Sequence, residues 1–227
     1  MLVKYWMSTD VITVAPGDAM KEAMDRLKAH AIRQMPVVKD GKLVGMLSDR
    51  DLKKASASDA TSLDVHELLY LLDKVKVAGI MSKPAITVPL DYTLEETAER
   101  LLEHKIASMP VVDADGTMVG IITQSDLFRA LVSLTGLQDR GLHLGLLMAD
   151  QPGSIMTVAN MVREAGGKMA GILTSYKRCP EGKRRVYLRF YNIDRDATEA
   201  LLQQIGTKAQ LLYMVDHRNN HRTVFAE

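Results

Sequence analysis

Gly45-Met46-Leu47-Ser48-Asp49-Arg50-Asp51-Leu52 recurs from position 120 as Gly120-Ile121-Ile122-Thr123-Gln124-Ser125-Asp126-Leu127. Each stretch reads as an apolar strand closing on a hydroxyl residue, then a helix with an acid three positions further on. A hydroxyl and an acid at that spacing cap a helix start, and the acid also favours the positive end of the helix dipole. Working outward, Met35-Pro36-Val37-Val38 recurs as Met109-Pro110-Val111-Val112. Met7-Ser8 with Ile12-Thr13-Val14 recurs as Met81-Ser82 with Ile86-Thr87-Val88. The blocks keep their order. The offset grows by one residue only where Lys39-Asp40-Gly41 becomes Asp113-Ala114-Asp115-Gly116, a turn where an insertion costs little. Three matched blocks in one order mark an internal repeat.

Each copy predicts a short strand (Ile12–Val14, Ile86–Val88), an amphipathic helix, a hairpin and a closing helix. Ala19, Met20, Ala23, Met24 and Leu27 recur at helical spacing in the first copy, and Leu94, Ala98, Leu101 and Leu102 in the second. The two β-rich runs of each copy flank an Asp/Gly turn, the mark of a hairpin. A unit of fewer than about 60 residues buries too little surface to stand alone, so the copies are expected to pack together.

The strand–helix–PVV–hairpin–GhhS/TxxD order resembles the CBS domain, and two in tandem resemble a Bateman module. The resemblance implies an adenine nucleotide or related adenosyl compound as regulatory ligand, with no catalytic cofactor. It places phosphate at Ser48 and Thr123, ribose at Asp51 and Asp126, and close backbone approach at Gly45 and Gly120. The adenine cleft maps onto two groups. One is Asp126 and Thr123 with Val11, Ile32, Arg33 and Gln34; the other is Asp51 and Ser48 with Ala85, Ile106, Ala107 and Ser108. Helix capping alone explains the hydroxyls and acids, and core packing alone explains Val11, Ile32, Ala85 and Ile106. The physical basis of the functional reading is that a helix N-terminus seats phosphate. A first-turn carboxylate can accept from ribose hydroxyls, bonds of roughly 1.5–3 kcal/mol each. Arg33, Arg50, Lys53 and Lys54 cluster near Asp51, against Arg129 alone near Asp126, so a polyphosphate is expected at the Asp51 corner.

Beyond Leu134-Thr135-Gly136 the pattern changes. His143–Ala149, Met169–Tyr176, Arg185–Tyr191 and Ala209–Val215 read as strands. Helices are expected around Ile155–Val162 and Ala197–Ile205, which gives the ferredoxin-like order βαββαβ. The turn Asp150-Gln151-Pro152-Gly153-Ser154-Ile155 resembles that of the ACT domain. It implies a small amino acid held by Asp150, Pro152, Gly153 and Ser154, or a tight turn in a domain that only dimerises. The order CBS–CBS–ACT resembles the acetoin-utilisation protein B family. The fold class is thus α/β (α+β), two tandem CBS repeats forming a Bateman module plus a ferredoxin-like ACT-like domain. The boundaries are repeat 1 over 1–57, a linker helix over 58–79 (with Val65, Leu68, Leu69 and Leu72), repeat 2 over 80–133, a linker over 134–142, the ACT-like domain over 143–217 and a tail over 218–227.

Composition narrows the rest. The 227 residues are 47% hydrophobic and 25% charged, with 29 Lys+Arg against 28 Asp+Glu, so no global field favours nucleic acid or a membrane surface. Aromatics at 5% offer no base-stacking platform. The single Cys179 excludes an internal disulfide and a Cys-rich zinc site. Met1–Trp6 is too short and mixed for a signal peptide, and no apolar run approaches the roughly 20 residues of a membrane span; a cytoplasmic location is expected. The basic run Lys177-Arg178 and Lys183-Arg184-Arg185 reads as a solvated hairpin tip. His30 and His104 read as helix-end residues, and His217 and His221 lack a third metal ligand nearby. Three functions compete: a non-catalytic sensor acting as a homodimer on a target enzyme, such as one of acetoin utilisation; an assembly module with empty clefts; and an enzyme, for which no activated nucleophile, metal cluster or phosphate-loop lysine is visible.

Overall fold

The computed structural model describes residues 1–59 and 73–225, so the expected linker-helix residues Val65, Leu68, Leu69 and Leu72 lie outside the described residues. Two compact units are formed, Met1–Phe128 and Arg129–Glu227. In the first, α1 (Met20–Ala29), the hairpin β1 (Gln34–Lys39) and β2 (Lys42–Ser48), and α2 (Asp49–Asp59) make up repeat 1. After α3 (Val77–Ile80), repeat 2 runs through β3 (Val88–Pro89), α4 (Leu94–His104), β4 (Ser108–Val112) and β5 (Met118–Thr123) to α5 (Gln124–Leu134), whose residues from Arg129 onward belong to the second unit.

The expected strand Ile12–Val14 reduces to one parallel bridge between Val14 and Val37, and its repeat to the two residues of β3. The hairpins are as expected. Asp40 and Gly41 both take positive φ in the first turn, the twist that matches a two-residue hairpin. In the second, Asp113 Oδ1 accepts from Asp115 N and Thr117 N. Helix α4 opens on a capping box between Thr93 and Glu96. Its buried stripe is Leu94, Thr97 and Leu101, while Leu102 is 73% exposed. The sequence period missed Thr97 because its hydroxyl, donating to Thr93 O at 2.8 Å, lets a polar residue be buried at no loss.

Each repeat is completed by a piece of chain belonging to the other. Ser82, at the start of the second copy, exchanges two hydrogen bonds with Met46 of β2 (2.9 and 2.8 Å); Ser8, at the start of the first, does the same with Ile121 of β5 (2.9 and 2.9 Å). The exchange continues at the helix entries. Val3 N donates to Tyr92 O and Leu94 N to Met1 O, exactly mirrored by Val77 N to Asp18 O and Met20 N to Val75 O. Val77 is accordingly part of the repeat 1 core with Met20, Leu27, Met35, Val37 and Leu47. Two apolar half-cores thereby share their edges, as expected of units too small to stand alone.

The second unit carries β6 (Leu142–Ala149), α6 (Ser154–Glu164), β7 (Lys168–Ser175), β8 (Lys183–Tyr191), α7 (Arg195–Gly206), β9 (Gln210–Asp216) and β10 (His221–Val224). The antiparallel order β10-β9-β6-β8-β7 contains the ferredoxin-like arrangement. Leu144, Leu146, Leu188 and Phe190 on one sheet face pack with Val158 and Val162 of α6 and Leu201 and Ile205 of α7. Two expectations change. The tail at 218–227 carries the added edge strand β10. The linker at 134–142 packs within the unit, since Gly136 meets Ala170 and a 3-10 turn runs over Leu137–Asp139.

The exchange depends on two glycines. A Cβ on Gly45 would lie 2.8 Å from Ser82 O and 2.9 Å from Met81 Sδ; on Gly120, 2.8 Å from Ser8 O and 2.7 Å from Met7 Sδ. Gly45→Ala and Gly120→Ala are each expected to destabilise the first unit by about 1–3 kcal/mol, read by urea denaturation, whereas Gly17→Ala, which has nothing within 4 Å, should not.

Candidate functional site

The repeated strand-to-helix corners have the same internal geometry. At the first, Asp51 Oδ2 accepts from Ser48 N at 2.8 Å and from Ser48 Oγ at 2.6 Å, and Asp51 N donates back to Ser48 Oγ at 3.3 Å. At the second, Asp126 Oδ2 accepts from Thr123 N at 2.8 Å and Thr123 Oγ1 at 2.7 Å, and Asp126 N donates to Thr123 Oγ1 at 3.3 Å. The capping role is therefore real at both. Asp51 is half-buried and Asp126 is 4% exposed.

Around each corner the contacts are those of its own repeat. Gln34 lies across the ladder from Ser48, and Ser108 across from Thr123; residues so paired present their side chains to the same face. Asp49 N donates to Arg33 O, Gln124 N to Ala107 O, and Gln124 Nε2 to Ile106 O. The sequence grouping instead combined each acid with the strand of the other repeat. Val11, Ile32, Ala85 and Ile106 are half-buried, while Arg33 and Ala107 are exposed; Ile32 packs on the repeat 1 core. Ser108 is 3% exposed and its Oγ has no hydrogen-bond partner among the described residues. A buried hydroxyl left unpaired costs about 1–3 kcal/mol, so the Thr123 corner holds an unspent polar group.

Gly45 and Gly120 have Ser82 and Ser8 lying against them, so the chain itself makes one close approach at each glycine. Lys53 is 79% exposed and paired with Asp49 at 3.3 Å, a solvated helix face; Arg33 and Arg50 remain as exposed cations at that corner.

In the second unit, Gly153 precedes α6 with φ +82 and no side chain caps that helix. Arg184, expected in a solvated basic run, instead folds over this turn. It lies 3.4 Å from Asp150 Oδ1 and donates to Ser154 Oγ at 3.0 Å, with its side chain 16% exposed. Lys177, Arg178 and Lys183 are exposed as expected. The Asp150 carboxylate is thus already next to a guanidinium, and Pro152 is exposed.

A polar cluster on the same sheet went unseen in the sequence. His143 on β6 lies opposite Arg189 on β8 and near Tyr213 on β9. The signal was present as the alternation of Arg185, Tyr187 and Arg189 with Val186, Leu188 and Phe190. Burial, aided by the charges of Arg189 and His217, pushes the His143 pKa from 6.5 down to about 4. Among the described residues no three His, Cys, Asp or Glu side chains converge as metal ligands, and no helix is long and apolar enough to cross a membrane.

The CBS domain family model matches residues 3–58 and 77–133. A CBS domain-containing protein of Dictyostelium discoideum is 31% identical over 135 residues, covering 59% of this chain and 93% of that one. Among solved structures, the CBS domain pair of protein MJ0100, in complex with 5′-methylthioadenosine and S-adenosyl-L-methionine, superposes with a TM-score of 0.50 and 30% identity, covering 58% of this chain and 99% of that one. A Vibrio cholerae protein described as an acetoin utilization protein (AcuB) superposes with a TM-score of 0.51 and 29% identity over 61% of this chain and 95% of that one.

Two outcomes follow from the site geometry. Thr123→Ala should cost about 1 kcal/mol of stability through the lost cap, measured in ligand-free protein by denaturant titration. Since the folded His143 pKa of about 4 lies below the usual 6.5, the unfolded chain takes up this proton first. The corresponding stability is complete above pH 6.5 and is lost as pH falls toward 4; His143→Gln should flatten that part of a melting-temperature profile.

Proposed function

This chain belongs to the CBS domain family, and on that premise we propose that it is a non-catalytic sensor whose Met1–Phe128 unit binds an adenosyl ligand. The observation that carries the reading is the pair of corners at Ser48/Asp51 and Thr123/Asp126, built alike in both repeats. Each opens an eleven-residue helix, whose positive dipole end suits phosphate or another anionic group. Each cap is made through Oδ2, and ribose recognition falls to the same carboxylate. The adenine base takes the half-buried apolar positions Val11, Ile32, Ala85 and Ile106. The adenosyl compounds in the MJ0100 CBS pair support this ligand class. Arg33 and Arg50 favour the more anionic ligand, an AMP, ADP or ATP, at Asp51; the partnerless Ser108 Oγ favours a neutral hydrogen-bonding group near Asp126.

The second unit is then the responding element, an ACT-like domain by its strand order and its Asp150–Ser154 turn, with Arg184 added to the amino-acid carboxylate side. Exposed Phe128, Leu131, Val132 and Leu134 along α5 support a homodimer, through which ligand state reaches a target enzyme, acetoin utilisation being one such setting. A ligand shifts such an arrangement only by binding one form better than another. The low exposure of Asp126 and the self-satisfied caps favour one competing reading, an assembly module without nucleotide.

Calorimetry with AMP, ADP, ATP, NAD and S-adenosylmethionine tests the sensor. At least one should bind, and Asp51→Ala or Asp126→Ala should weaken it about 10–150-fold, the loss of one or more charge-assisted bonds. Light scattering with and without that ligand should show a change in assembly or shape. Binding by none of the five would leave the assembly module standing.

A further inference from the structure

We propose that the sheet face turned away from α6 and α7 holds a small-anion site centred on Arg189, fitted to a carboxylate or another oxyanion. Arg189 projects from β8 on the opposite side from the core residues Leu188 and Phe190, beside its ladder partner His143. It is 5% exposed, and its Nε and Nη1 have no hydrogen-bond partner among the described residues. Its Nη2 meets only the ring Nδ1 of His143, at 3.4 Å. No described carboxylate forms an ion pair with it.

The acids that could serve are otherwise placed. Asp216 is held by Arg218, with Oδ1 accepting from Nε at 2.8 Å and Oδ2 from Nη2 at 2.7 Å. Asp139, in the 3-10 turn that packs near β8, acts on Arg189 through its charge but stays beyond ion-pair distance. The neighbours are nitrogen-rich: His143 lies against Tyr213 Oη at 3.4 Å, and His217 Nε2 is buried with no partner among the described residues. The unneutralised guanidinium is felt by both imidazoles, whose pKa values it lowers.

A buried cation without counter-charge is among the least favourable arrangements in a protein, and the remedy is an anion with oxygens to fill the free donors. Nε and Nη1 lie on different edges of the guanidinium, so each is a separate donor that can take one oxygen of an anion. Nε and Nη1 are enclosed, so a protein surface cannot lie against them. A small anion is the occupant this leaves. This site is separate from the Asp150–Ser154 turn and does not rest on nucleotide binding in the first unit.

The test follows the histidine ring signals of the full chain by NMR during titration with inorganic phosphate and, separately, acetate, against chloride at constant pH and ionic strength. A saturable shift of the His143 ring, a rise in its pKa and a higher melting temperature are expected with one or both anions, and the one that works names the source. Arg189→Met should lose the response and Arg189→Lys should keep a weakened one. The local ring signal separates this site from any phosphate bound at the nucleotide corners. No saturable shift with either anion, or an unchanged response in Arg189→Met, overturns the site. So does a ring shift that tracks protein concentration instead of anion, since the counter-charge would then come from a second copy.

Discussion

The first unit rests on a close backbone approach, the segment Met7-Ser8 against Gly120 and Met81-Ser82 against Gly45. The paired hydrogen bonds of 2.8–2.9 Å made by the residue after each glycine, Met46 and Ile121, are possible only because no side chain stands in the way at the glycine. From this contact the rest follows. Each sheet gains an outer partner and so loses an exposed edge. Val77 enters a core begun near residue 14, and the helix entries at Met20 and Leu94 are tied by carbonyls from the other copy. The candidate corners at Ser48 and Thr123 lie three residues beyond the glycines, so their positions are fixed by the same junction.

Capping and ligand recognition use the same atoms at these corners, which is why the sequence could not separate them. A hydroxyl and a carboxylate three residues apart must satisfy the first amides of the helix, and they do so with identical partners in both repeats. What distinguishes the corners is outside the motif. One carries exposed arginines, the other a buried serine hydroxyl with no partner among the described residues. Charge around the motif, more than the motif itself, decides what kind of ligand each would select.

Much of the fold was legible in the sequence because it is written in repeats and periods. The matched blocks located the hairpins and closing helices, and the apolar run of β6 with alternation along β7 and β8 located strands of the second sheet. Contacts made between distant segments were not legible. Nothing in Met1–Tyr5 marks it as the counterpart of Val75–Gly79, because the match lies in hydrogen-bond roles and hardly in residue types. Thr97 was overlooked since its polarity is cancelled by a backbone carbonyl one turn back. Arg184 read as a member of a basic hairpin tip and Arg189 drew no reading of its own, yet one lies over the α6 turn and the other is buried. Period-2 patterning tells which face a residue takes, but not what waits there.

The reciprocal edges also bear on how such a molecule can arise and be divided. Cut between the copies, each half would keep its helices and hairpin but lose the strip that seals it, so neither is a free-standing part. Two identical copies, each lending its first residues to its twin, would make every one of these contacts twice over. The single chain is therefore geometrically equivalent to a swapped pair fused end to end, and its near-symmetry is what that ancestry would leave behind.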